Sequence, residues 1–328
     1  LFLLLLVSSP ALGQAKDMLS MRGNKKLISG EITGVSPDTI SLKTSGRTEK
    51  IAVSEVDRLM FYDDPSGLAS VRADFKNGQL EQALRGLKSV TPEGREFVRQ
   101  EIEFLRAVVV AKLALRGEGD INTSARQVGA FLRQHKNSFR FYDACEVMGD
   151  LAMSLGRPQD ASKYYAKLTE SQGDGIRARG SLLMGDALWG SGAAERARQM
   201  YLQCEKAKDN RIQAMGKLGV ARCDANADSC QAIKAIEAII AGNDSNDAEL
   251  FARAYNALGY AFTQAGQPEA ALDAFLHTDL LFYRDANNHA EALYYLAELW
   301  AEINQPAEAT KARQILKQRY KSSMWAQR

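Results

Sequence analysis

SLLMGDALWGSG, residues 181–192, decides the reading of this chain, because Gly185 follows Met184 in what should be the middle of a helix. Glycine there costs about 1 kcal/mol relative to alanine. Three further segments repeat the arrangement: CEVMGDLAMSLG at 145–156, MGKLGVARC at 215–223 and YNALGYAFTQAG at 255–266, with Gly149, Gly219 and Gly259 behind Met148, Leu218 and Leu258. A residue type that is costly in a helix and still recurs at one place implies that a missing side chain is needed for another helix to approach. Seven residues beyond three of these glycines stands a second glycine, Gly156, Gly192 or Gly266, where the chain should turn. Twelve residues beyond stands Ala161, Ala197 or Ala271, and four further an aromatic residue, Tyr165, Tyr201 or Phe275. The order is helix, glycine turn, helix. A glycine opposite an alanine would let the two axes approach the lower end of the usual ~8–10 Å range.

The mid-helix glycines are 36, 34 and 40 residues apart. In this period and this order the chain resembles the tetratricopeptide repeat, a helix-turn-helix unit of about 34 residues. A last unit has Ala297 in the glycine position, then Trp300, Asn304-Gln305-Pro306 and Ala309. The unit at 212–240 is degenerate: no turn glycine follows Cys223, and Ala232 falls one residue late. Upstream, Arg72–Gly78 with Ala83 and Leu84 forms a weaker first unit, and residues 95–135 supply a hairpin around the Gly117–Asp120 turn. The resemblance spans residues 65–320 and implies a mainly α fold, an α-solenoid of about seven helical hairpins.

Residues 16–63 have a different character. Isoleucine and valine alternate with polar residues in ISGEITGV and DTISLKT, which is a strand pattern. Turn signals at Gly23-Asn24, Ser36-Pro37-Asp38 and Ser45-Gly46 divide the segment into strands near 17–21, 26–35, 39–44, 48–53 and 58–62, with a tight turn at Ser54–Val56. Such a run looks like a small SH3-like or Sm-like β-barrel domain. Asp63-Asp64-Pro65-Ser66-Gly67 punctuates its end. Residues 1–15, LFLLLLVSSPALGQA, are too short an apolar run to span a bilayer, which takes roughly 20 residues. They read as a secretory signal peptide cleaved after Gly13 or Ala15. With no initiator Met and no basic residue before that run, the reading frame is expected to begin upstream. The expected organisation is therefore a signal peptide at 1–15, a β-domain at 16–63, helical repeats at 64–320 and a tail at 321–328, in an exported protein without an integral membrane segment.

The 42 Lys and Arg against 40 Asp and Glu leave a net charge of +2. That balance does not suit a nucleic-acid partner, and within 16–63 no aromatic residue precedes Phe61 to stack on bases. Of the four cysteines, Cys223 and Cys230 bracket the turn of the degenerate unit and could bridge it; Cys204–Cys223 is the alternative, in an oxidising compartment. The three histidines, His135, His277 and His289, lack a helical metal-ligand partner, and no phosphate loop or nucleophile elbow is present. No catalytic, cofactor or metal residue is expected.

The repeat resemblance implies instead that the first helix of each hairpin lines a concave groove. By repeat position the groove face comprises Glu146, Asp150, Met153, Leu182, Asp186, Trp189, Asn256, Tyr260, Thr263, Tyr294 and Glu298, with Arg179 and Arg253 as basic exceptions. Carboxylates among exposed aromatics suit a peptide bearing Lys or Arg and an apolar anchor. The basic, Asn-rich groove of repeat domains that clamp chaperone C-termini is not matched. The expected function is a non-enzymatic protein–protein interaction scaffold of the bacterial cell envelope. The alternative is a self-assembling or cell-wall-associated component, motivated by Trp300 and Trp325 near the C-terminal end.

Overall fold

The computed structural model describes residues 16–328; the expected signal peptide lies outside the described residues. Five strands come first: β1 (Asp17–Met21), β2 (Asn24–Val35), β3 (Thr39–Thr44), β4 (Arg47–Ala52) and β5 (Val56–Met60). All pair antiparallel in one sheet of order β4-β3-β2-β1-β5. The long strand β2 serves two partners. Asn24–Gly30 pairs with β1, and Glu31–Val35 pairs with β3. Gly30 sits at the changeover, where a Cβ would lie 2.6 Å from the Lys43 carbonyl oxygen, and a register shift follows between Ile32 and Gly34. Bending the sheet there needs the absent side chain. A one-turn 3₁₀ segment, Val53–Glu55, makes the tight link into β5.

Seven helical hairpins follow: α1 (Leu68–Lys76) with α2 (Leu80–Leu87), α3 (Glu96–Leu115) with α4 (Ile121–Gln134), and α5 (Phe141–Ser154) with α6 (Pro158–Thr169). Then come α7 (Asp174–Gly190) with α8 (Ala194–Cys204), α9 (Asn210–Asp224) with α10 (Ser229–Ala241), α11 (Ala248–Gln264) with α12 (Pro268–Leu281), and α13 (Ala286–Glu302) with α14 (Pro306–Arg319). The turn residues Gly156, Gly192 and Gly266 adopt φ of 67°, 83° and 68°, and Asn304 takes the same place at 58°. Each closes its helix in the same way. For instance, the Gly266 and Gln267 amides donate to Thr263 and Phe262 carbonyls, and the Asn304 and Gln305 amides to Ala301 and Trp300. This is the left-handed helix stop that glycine, and less often asparagine, permits.

The mid-helix glycines are buried, but their partner differs from the one expected. The space left by each glycine is filled by the aromatic ring four residues beyond the alanine, not by the alanine itself. A Cβ on Gly149 would overlap the Tyr165 ring, and one on Gly185 the Tyr201 ring. One on Gly259 would stand 2.6 Å from Phe275. Gly219 meets the other face of Tyr201, so that ring is held between α7 and α9. The alanines are fully buried beside the rings.

Two sets of contacts set the overall shape. First, the strand segment is docked on the helices: Leu19, Ile32, Ile40 and Leu42 share one core with Leu68, Val98, Ile102 and Leu151. Second, the solenoid does not remain an open ribbon. Helix α13 packs against α5, and the Arg319 Nε donates to the Arg116 carbonyl at the end of α3, 3.2 Å away. The tail at 321–328 then turns inward. The Arg328 guanidinium donates to the Gly190 carbonyl at 3.1 Å, and Met324 covers Gly190. Trp325 is 7% exposed against Tyr294 and Tyr295, so this indole is covered rather than displayed.

Candidate functional site

Closure of the repeat array converts the concave face into a central cavity of about 570 Å³. Of the residues expected on the groove face, Glu146, Asp150, Met153, Arg179, Asp186, Trp189 and Arg253 line it. They come from the inner helices α5, α7 and α11, one helix from each of three hairpins, as the repeat register requires. Most of their charges are paired within the chain. Arg179 binds Glu146 at 2.9 Å and also Glu249, while Arg253 binds Asp186 at 2.6 Å. Arg211 binds Asp247 and Glu249, and Arg222 is paired with Glu291. Burial by itself would raise the Glu249 carboxyl, but Arg179, Arg253 and Arg211 around it hold it well below the usual range. Glu146, Asp186, Glu249 and Glu291 are thus each matched by an arginine of the same chain, which reduces the free acidic surface that the interior offers.

Asp150 stands apart from this network. Its Oδ1 accepts from the Tyr165 hydroxyl at 2.8 Å, and it makes no ion pair among the described residues. Burial first, and then the charge of Glu146, push its carboxyl up to about 7. Tyr201 repeats the bond one hairpin later, donating to Asp186 at 3.0 Å. The tyrosine whose ring fills a glycine gap therefore places its hydroxyl at the cavity wall in both hairpins.

The remaining candidates divide. Leu182 and Asn256 are fully buried and do not face the cavity. Asn256 donates to the Asn288 carbonyl at 2.8 Å and to Glu291 at 3.1 Å. Trp189 and Tyr260 meet edge to face at 5.0 Å, with the Arg222 guanidinium 4.3 Å from the indole. Thr263 donates back to the Gly259 carbonyl within its own helix. Tyr294 is covered by Trp325, and Glu298 is exposed and pairs with Arg313. All four cysteines are free thiols, so neither the Cys223–Cys230 bridge nor the Cys204–Cys223 alternative is formed. The turn between α9 and α10 closes without it: the Asp228 amide donates to the Asp224 carbonyl, and the Asp228 side chain caps α10 at Gln231. Cys204 is buried, with its sulfur 3.6 Å from the Ala178 carbonyl. His289 is a core residue between Tyr320 and Asp279.

Sequence reasoning missed the cationic side of the ring. Arg116, Arg284 and Arg319 gather where the last hairpin meets the first two, lining a second cleft of about 500 Å³. Arg116 and Arg284 line both cavities. No spacing rule brings residues so far apart in sequence together, so only the closure of the ring reveals them.

A TPR-like α-solenoid carrying an N-terminal antiparallel sheet is the class that this fold defines. The tetratricopeptide repeat family matches at residues 142–174, the hairpin of α5 and α6. A tetratricopeptide repeat protein from Parabacteroides merdae is similar in structure, with a TM-score of 0.50 at 12% identity, covering 77% of this chain and 91% of that one. The C-terminal part of a repeat-containing protein from Cytophaga hutchinsonii superimposes with a TM-score of 0.39 at 13% identity, over 76% of this chain and 94% of its own. MamA from Desulfovibrio magneticus gives a TM-score of 0.31 at 18% identity, over 55% and 96%. No curated protein matches the chain in sequence.

Proposed function

We propose that this chain is a non-enzymatic protein–protein interaction scaffold of the bacterial cell envelope, exported by its apolar N-terminal segment. The observation that carries the reading is the stack of seven hairpins itself, a TPR-like array in which Arg179 and Arg253 of the inner face are paired with Glu146 and Asp186. Repeat arrays of this kind expose a long surface built from repeated units, which suits a partner protein better than a small substrate. Within this reading the N-terminal sheet is an SH3-like or Sm-like module that braces the ring. Its Asp38 accepts from the Ser171 hydroxyl at 2.6 Å and the Gln172 amide at 2.9 Å, where α6 passes into α7. Self-assembly as a second reading loses its motivation, since Trp325 is buried and Trp300 half-buried. Crosslinking in the native host, followed by mass spectrometry of the envelope fraction, is expected to recover one stoichiometric partner. Recovery of general chaperones alone, or of the chain only in the cytosolic fraction, overturns the proposal.

A further inference from the structure

Two groups of arginines contrast in this protein. Arg72, Arg95, Arg140, Arg179, Arg211, Arg222 and Arg253, at the core and ring wall, each hold one or more carboxylates. Arg116, Arg284 and Arg319, at the seam where the ring closes, hold none among the described residues. Arg116 donates to the Gly78 carbonyl at 3.4 Å and Arg319 to the Arg116 carbonyl at 3.2 Å, while Arg284 is exposed. Lys112, one helical turn before Arg116, adds a further cation on the wall of the central cavity, without an ion pair among the described residues. Glu81 and Glu118 stand exposed on the rim of the seam cleft and make no ion pair with these cations. The cleft is also lined by Asn77, Gln79 and Tyr283, and Tyr283 is 41% exposed with Arg319 against its ring at 5.9 Å. Just before Tyr283, Leu280 and Leu281 are 65% and 63% exposed, the most exposed large apolar residues of the helical part.

We propose that this seam binds an extended acidic segment of a partner protein, a role that rests on the scaffold reading above and identifies the partner's chemistry. Carboxylates of the segment pair with the guanidiniums of Arg116, Arg284 and Arg319. Guanidinium and carboxylate match in shape as well as charge, and such bonds are about twice as strong as neutral ones. The amide side chains of Asn77 and Gln79 suit an extended backbone, and an apolar side chain of the segment covers Tyr283 and Leu281. A single small anion would use the arginines alone and leave the amides and the apolar rim without a role. Because Arg116 ends the first helix of the second hairpin, Arg319 ends the last hairpin and Arg284 lies in the connection leading into it, the bound segment also ties the two ends of the ring together.

The test uses the full chain and a short fluorescein-labelled peptide alternating Glu with Leu, with Gln–Leu and Lys–Leu peptides in parallel at the same ionic strength. Only the Glu peptide is expected to bind by fluorescence polarisation. Arg284→Gln should weaken it about tenfold, the loss expected for one charge-assisted pair, with an unchanged melting temperature because Arg284 is exposed and makes no side-chain bond among the described residues. Arg116→Gln should weaken binding similarly, and Lys234→Gln on α10 should not. Equal binding of the Gln peptide, competition by inorganic phosphate at the peptide's own concentration, or affinity unmoved by Arg284→Gln overturns the assignment. A partner crosslinked in the host, combined with no Glu-peptide binding, overturns the seam and leaves the scaffold reading standing. Binding lost in Arg284→Gln while no partner is recovered supports the seam and sinks the scaffold reading.

Discussion

Around Tyr201 the protein presses an aromatic ring between two glycines, Gly185 on α7 and Gly219 on α9. Around Glu101 it presses a carboxylate between two arginines, Arg72 from α1 and Arg140 at the start of α5. Both places are buried junctions where three helices meet. The first is solved by removing side chains so that one rigid ring fills the gap, which adds dispersion contacts and leaves only a hydroxyl to satisfy. The second is solved by charge. Burial would raise the Glu101 carboxyl, but Arg140 and Arg72 beside it keep it below the usual range and ionised. The same device recurs next to it, where Arg95 joins Asp17 of the sheet to Asp63 at the start of the helices. The ring-and-glycine junction repeats along the solenoid because it belongs to the repeat unit. The charged junctions follow no repeat position, and one of them, through Arg95 and Asp17, is where the sheet is joined to the array.

The difference has unequal consequences when each junction is broken. Glu101→Ala leaves Arg72 with Asp64 only and Arg140 with the exposed Asp143 only. Removing one partner of a buried ion pair costs about 3–5 kcal/mol, so urea unfolding should show a midpoint lowered accordingly. A loss below about 1 kcal/mol would mean that the two guanidiniums find water, and that the junction is held by its apolar surroundings instead. Gly219→Leu comes next. A side chain there must displace the Tyr201 ring, and overpacking a filled core costs about 1–3 kcal/mol. Gly175, where a Cβ would meet nothing within 4 Å, is the control. Gly175→Leu should melt at or above the parent temperature while Gly219→Leu melts below it, and equal behaviour would contradict the ring-in-gap junction.

These two junctions were not equally legible in the sequence. Gly149, Gly185 and Gly259, their turn glycines and the aromatics sixteen residues on all stand at constant offsets. Constant offset within a helical hairpin fixes which faces meet, so the three regular hairpins followed from spacing, while the groove face came from the repeat resemblance, and seven of the thirteen residues it named line the cavity. Spacing did not tell which of two small-gap partners fills the glycine space, because Ala161 and Tyr165 lie one helical turn apart on the same face. The charged network was beyond reach for another reason. Arg179 pairs with Glu146 and Glu249, 33 and 70 residues away, and Arg319 meets Arg116 across 203 residues. An arginine's partner is chosen by tertiary packing, and the closure of the ring accumulates from small rotations at every hairpin. Nothing local in the sequence records that sum. Glu146, Asp150 and Asp186 do line the cavity, but Glu146 and Asp186 are each paired with an arginine that no spacing rule points to.

Asn304 sharpens the comparison inside the repeat, since it does at φ 58° what Gly156 does at 67°. Asparagine tolerates that region and alanine does not, at a cost of about 1–2 kcal/mol. Asn304→Ala should lower the melting temperature while Asn304→Gly leaves it nearly unchanged. If both are neutral, the last hairpin turns without the left-handed stop that Gly156, Gly192 and Gly266 provide.

The smallest effect concerns the place where the two kinds of junction meet. Asp150 accepts the hydroxyl of a gap-filling tyrosine, Tyr165, and lies beside Glu146 of the arginine network, with Lys112 and Arg179 as the facing cations. Its carboxyl is raised from an ordinary 3.8 to about 7. The folded protein therefore holds this proton over a pH range in which the unfolded chain has released it. Below about pH 4 both states are protonated and the residue costs nothing. As pH rises toward 7 the unfolded state alone gains by ionising, and stability falls; above 7 the penalty is complete. Asp150→Asn keeps an oxygen for the Tyr165 hydroxyl and has no charge to confine. It should raise stability at pH 8 by about 1 kcal/mol, less than the full linkage value because the cavity is open to water, and leave it unchanged at pH 4. Urea midpoints of the two proteins at both pH values measure this directly. An equal gain at both would assign the effect to packing of the amide, and a loss at pH 8 would mean that the ionised carboxylate is the form the arginine network needs.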